Sequence, residues 1–164
     1  MKTALTLTLA AVMLSGCVGM SRSKPVAPLA ADWKTGGRVD QITLAKEGEF
    51  KITPEFDQIF ETRVKSKLAE CATGTRPLRL EARLTRLDKA NPVVTTLIMG
   101  ANVMRGEARL VDVATGQTVG EYEIGQTVVG GRMAIIKMGE AEEQMSDAFG
   151  EELCKQAFKA EAAK

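Results

Sequence analysis

Pro77-Leu78-Arg79-Leu80-Glu81-Ala82-Arg83-Leu84 alternates apolar and charged residues without a break. Successive side chains of a strand point to opposite faces, so this stretch predicts a strand with one buried and one wet side. Leu87 falls out of register, which places a bulge or the strand end near Thr85-Arg86. Further on, Met104, Gly106, Ala108 and Leu110 alternate with Arg105, Glu107 and Arg109, predicting a strand over 104–113. Ala114-Thr115-Gly116 turns the chain, and Gly120, Tyr122 and Ile124 against Glu121 and Glu123 predict the next strand. The Arg-Glu-Arg, Arg-Glu-Arg and Glu-Glu sets suit cross-strand pairing on a solvated sheet face, a simpler reading than a charged binding surface.

Upstream of the alternating stretch, Arg38 to Ala45 reads as a strand through Val39, Ile42 and Leu44. A helix start follows. Thr53 suits the N-cap, Pro54 the first helical position, and Glu55 the positive end of the dipole. Phe56, Ile59, Phe60, Val64, Leu68 and Cys71 then recur at three- and four-residue steps until Thr73-Gly74. Residues 133–160 predict a closing helix, with Met138, Ala141, Met145, Ala148 and Phe149 on one face. Beyond Gly150 the apolar set shifts to Leu153, Cys154, Ala157 and Phe158, so a break or kink at Gly150 is expected. The order β-α-β-β-β-α predicts an α+β two-layer sandwich, with a mainly antiparallel sheet and both helices on one face.

Composition narrows the function classes. The chain has 164 residues, room for one domain with a real core. It holds no histidine, which excludes a Ser-His-Asp or Cys-His site and any metal site needing imidazole. One Trp and one Tyr weaken carbohydrate or base stacking. Gly125 to Gly131 lacks the spacing and the Lys-Ser/Thr pair of a phosphate loop. The expectation is a non-enzymatic protein with no catalytic residues, no cofactor and no metal.

The first 16 residues read as a targeting segment: Lys2 begins it, and Ala4 to Leu14 are apolar but too short to span a bilayer. Leu14-Ser15-Gly16-Cys17 matches the lipobox, so the chain resembles the bacterial lipoproteins. That resemblance implies cleavage before Cys17 and acylation of its thiol. Several chains at ~0.8 kcal/mol per buried CH₂ then make a stable anchor. Val18 rather than Asp after the cysteine implies the periplasmic side of the outer membrane, if the envelope is Gram-negative. Loss of residues 1–16 removes Lys2 and leaves 21 basic and 21 acidic residues, so no electrostatic pull toward nucleic acid is expected.

Residues 17–35 read as the lipidated cysteine and a flexible tether, with Ser21, Ser23, Pro25 and Pro28 and no apolar period. Residues 36–160 are the single domain, and 161–164 a fraying tail. Cys71 and Cys154 are left once Cys17 is acylated, and in an oxidising compartment two such cysteines usually pair. From Pro54 to Cys71 is ~26 Å of helix and from Met138 to Cys154 ~24 Å, so the thiols fall at similar depth. Two separately buried thiols are the alternative.

Two uncharged stretches remain. One runs from Asn91 to Met104 and includes Val94, Leu97, Ile98 and Met99. The other, Ile124 to Ile136, has Arg132 as its single charge and includes Val128 and Val129. In an up-down-up meander both fall at one end of the sheet. They are either strand extensions buried in the domain or a contact site for a protein, a lipid or a second copy. The mature part is similar to small periplasmic lipoprotein domains. That resemblance implies an accessory lipoprotein binding an envelope protein, or a carrier of lipid or another small ligand.

Overall fold

The computed structural model describes residues 18–90, 100–130 and 140–159. The alternating stretch lies in β4 (Arg76–Asp88), flanked by β3 (Gly37–Lys46) and β5 (Gly100–Asp112), with β6 (Thr118–Gly130) beyond. β4, β5 and β6 form the expected antiparallel meander. β3 pairs parallel to β4. A parallel neighbour needs a long crossover, which α2 (Phe56–Ala69) provides. α3 (Ala141–Ala157) closes the domain. The α+β two-layer architecture is therefore as expected.

Leu78, Leu80, Ala82 and Leu84 of β4 are buried, and so are Met104, Ala108, Leu110, Tyr122 and Ile124 on its neighbours. The register shifts between Leu84 and Arg86, and this bulge returns Leu87 to the core side. Phe56, Phe60, Val64 and Leu68 form the buried stripe of α2. The rings of Phe60 and Phe149 meet edge to face, with centroids 5.2 Å apart. The other sheet face is bare and carries the charged ladder: Arg83–Glu107 at 3.2 Å, Arg109–Glu121 at 2.9 Å and Arg79–Glu81 at 2.9 Å. Such exposed pairs contribute at most ~1 kcal/mol each.

The turn between β5 and β6 is built by Asp112. Its carboxylate accepts from Ala114 N–H and from the Thr115 hydroxyl, and Gly116 takes φ +72°.

Three expectations change. Of the tether expected over 17–35, the described residues 18–35 are not loose. β1 (Val18–Ser21) and β2 (Lys24–Ala27) pair with β6 along its outer edge, and α1 (Ala31–Gly36) leads into β3. The chain thus passes from the strand outside β6 to the β3 edge, four strand spacings or ~19 Å away. On the way it buries Leu29 and Trp33, and Leu29 N–H donates to the Tyr122 hydroxyl at 2.8 Å. β1 and β2 were illegible because each has four residues, and β2, exposed throughout, shows no burial period. Pro25, which lacks an N–H, is tolerated because the strand is an edge.

Second, Thr53 does not cap its helix. α2 starts at Phe56 after Glu55, without a side-chain cap, and the Thr53 hydroxyl is engaged elsewhere.

Third, helical structure runs unbroken through Gly150, because α3 packs on the sheet with one side and on α2 with another. Both apolar stripes are therefore buried at once. Gly150 marks the close crossing: a Cβ there would lie 2.8 Å from Lys67 Cβ and 3.2 Å from Val64 Cα. Gly150→Ala should cost ~1–3 kcal/mol in overpacking and recover up to ~1 from helix propensity. A net loss of about 1 kcal/mol is expected in chemical denaturation; a stabilised variant would contradict the tight crossing.

Candidate functional site

β1 is held by side-chain hydroxyls as well as by its ladder. Ser21 Oγ donates to Glu152 Oε1 at 2.7 Å, and Arg22 N–H donates to Gly125 O at 2.8 Å. Gly125 N–H donates to Ser23 Oγ at 3.0 Å. Glu152 is on α3 and 4% exposed. Burial pushes its carboxyl pKa up, but hydrogen bonds from Gln156 and Ser21 and the Lys155 charge outweigh this and hold it below the ordinary value. The first strand is thus pinned to the last helix. Ser21→Ala removes one donor from a buried carboxylate, and about 1 kcal/mol of stability should go with it. Limited proteolysis should then open the N-terminal strand first; unchanged protection would show that the ladder suffices.

β1 lies beside one end of the sheet. Val18 pairs with Val129, Gly19 with Val128 and Met20 with Thr127; on the far side of β6, Val128 pairs with Asn102 and Val129 with Ala101. The strand parts of both uncharged stretches meet here. They extend β5 back to Gly100 and β6 on to Gly130, beyond the expected limits. Met104 and Gln126 face inward and are buried, while Ala101, Val103, Thr127 and Val128 are half-buried and Met20 is 55% exposed. Of the candidate contact residues, Val128 and Val129 are in β6. Val94, Leu97, Ile98 and Met99 lie outside the described residues, as do Leu14, Ser15, Gly16 and Cys17.

Cys71 and Cys154 are joined as a disulfide, with Cα atoms 6.0 Å apart. The bridge ties the end of α2 to the last turns of α3, consistent with the helix lengths read from the sequence.

Glu142 has a role that sequence reading missed. It is 5% exposed in the first turn of α3. Its carboxylate accepts from Thr53 N–H at 2.9 Å, from the Thr53 hydroxyl at 2.6 Å and from Lys89 Nζ at 2.8 Å. One acid thereby joins the entry to α2, the end of β4 and the start of α3. An acid in a first turn normally signals a dipole partner, so the sequence carried no sign of this junction.

Two open concavities accompany these features. One, about 680 Å³, lies between α3 and the β1–β6 edge, with Ser21, Gln126, Val128, Asp147 and Lys155 in its lining. The Asp147 pKa is raised from its ordinary value by burial and by Glu151 and Glu70, against the pull of Arg63 and Lys67. The other, about 480 Å³, is a recess in the bare sheet face between Thr43, Glu81, Arg109 and Glu121. Among the described residues no cluster of three His, Cys, Asp or Glu side chains has the placement to hold a metal ion. Among them too, no helix is long and apolar enough to cross a membrane.

No family model matches the chain. No curated protein matches it either. Solved structures do. PelC from Paraburkholderia phytofirmans, crystallised as a dodecamer, is 15% identical, with 87% of this chain and 100% of that one covered and a TM-score of 0.53. A point variant of the same dodecamer is 17% identical over the same shares, with a TM-score of 0.51. A protein of family DUF330 from Xanthomonas campestris is 10% identical, covering 77% of this chain and 87% of its own, with a TM-score of 0.52. At such identities the likeness is one of fold.

Proposed function

We propose that the mature chain is a lipid-anchored accessory lipoprotein of the cell envelope, on the periplasmic side of the outer membrane. It is non-enzymatic and acts by binding a protein partner. The observation that carries this reading is the lipobox Leu14-Ser15-Gly16-Cys17, directly ahead of Val18, which is already paired in the sheet with Val129. An anchor on Cys17 would therefore sit immediately before the described domain. Growth with labelled palmitate tests the anchor: the wild type is expected to incorporate label and sediment with membranes. A Cys17→Ser protein that is processed normally and still sediments would remove the reading.

A second copy of the chain is the first partner to test, because PelC, which shares the fold, is a dodecamer. In this sheet β3 is an outermost strand with neighbours on one side, which suits strand-to-strand association. Native mass spectrometry of the lipidated protein in detergent should show a multimer. A monomer, together with an empty pull-down from solubilised envelope, would rule out the partner half of the proposal. The second reading, a carrier of lipid or another small ligand, is favoured by the concavity of about 680 Å³ beside α3. A lipid retained in the same spectra would support carriage.

A further inference from the structure

Two properties coincide at the sheet end where β1 begins. The first is covalent. Val18 is already paired with Val129 of β6. Consecutive Cα atoms lie ~3.8 Å apart, so no spacer separates an acylated Cys17 from the sheet. The second is chemical. The charged ladder stops at Arg22, Arg105 and Glu123. Beyond it, β1, residues 100–104 of β5 and residues 124–130 of β6 hold no Asp, Glu, Lys or Arg. Among the described residues, Asp88 and Lys89 at the end of β4 are paired with Arg86 and Glu142, and the charges of α3, Asp147 and Lys155 among them, lie on the helix side of β6. The opposite end is polar and charged, with the Asp112 turn and the Asp32–Arg76 pair at 2.8 Å.

The geometry points to this uncharged end, presenting Met20, Ala101 and Val103, as a surface that rests on lipid. It builds on the anchor reading above and adds an orientation to it. Acyl chains one residue from the strand hold this end at the bilayer. Bringing the row Met20–Thr127–Val103 into the interface desolvates no charged side chain of β1, β6 or β5, and Asp88, which continues that row on β4, is paired with Arg86. Met20, 55% exposed beside the anchor, is the side chain placed to enter the acyl boundary first. Thr115 lies at the far end of β5, whose 13 residues place it up to ~40 Å away. An anchored protein with a real tether would tumble and show no such difference.

The test uses the full lipidated protein in vesicles of phosphatidylethanolamine and phosphatidylglycerol with brominated acyl chains. A bimane at Met20→Cys is compared with one at Thr115→Cys, both surface positions. The Met20 probe is expected to lose most of its emission and the Thr115 probe almost none. Equal losses, or no loss at Met20 in palmitate-bearing protein, overturn the lipid contact. Missing palmitate overturns the anchor instead, so the two failures are distinguishable. A photocrosslinker at Val103 that traps an envelope protein rather than lipid also overturns the proposal, in favour of a protein interface.

Discussion

Opening the Cys71–Cys154 bridge should lower the stability of the domain by about 4.5 kcal/mol, from the chain entropy released by a loop of 83 residues. Domains of this size are stable by ~5–15 kcal/mol, so the loss is a large fraction of the whole. The loop contains the entire meander and most of α3, so the cross-link restrains the unfolded chain across the β4–β5 and β5–β6 pairings. In the native state it fastens the two helices near their C-terminal ends, as Gly150 lets them touch one turn earlier. The clean variant is the double change Cys71→Ala and Cys154→Ala. Cys154 is 4% exposed, and alanine places no new polar group there. Urea denaturation of this variant, and of the wild type with and without reductant, is the measurement. A difference below about 1 kcal/mol would mean that the bridge does not restrain the protein.

Glu142→Ala should cost about 3 kcal/mol, the low end for breaking a buried pair, because Lys89 is one-third exposed and water takes up part of its charge. Thr53 loses the acceptor of both its N–H and its hydroxyl. Glu142→Gln keeps the shape and an acceptor oxygen but not the charge, so a smaller loss is expected. The junction is also acid-sensitive. Burial pushes the Glu142 pKa up, but the Lys89 ammonium and the two Thr53 donors outweigh burial, and the carboxyl stays below its ordinary value. A carboxyl depressed by folding binds its proton more readily when unfolded. Its contribution is therefore complete above the ordinary carboxylate range and is lost as the pH falls through the depressed value. Stability followed by denaturation between neutral and acid pH should decline less steeply in Glu142→Gln than in the wild type. Parallel curves would show that Glu142 is already protonated in the folded state.

Legibility in the sequence followed burial. β4 was readable because one of its faces packs on helices and the other meets water, so Leu78 to Leu84 alternate with Arg79 to Arg83. Even its bulge was visible, since Leu87 keeps the core side at the cost of one unpaired position. The helix pair and its cystine were readable from helical spacing and compartment. β1 and β2 were not, for they are edge strands held by backbone pairing and by Ser21 and Ser23, neither of which imposes a side-chain period. Thr53 and Glu142 each obeyed a local helix rule and were taken up by a partner 89 residues away instead.

Of this protein the sequence alone determined the α+β class, the meander, the two long helices and the pair of cysteines. All of these are written in local periodicity or short motifs. Tertiary structure decided the parallel pairing of β3, the folding of residues 18–27 into the sheet, the tight crossing at Gly150 and the Glu142 junction. Each depends on a contact between residues distant in the chain, and such contacts leave no period behind them.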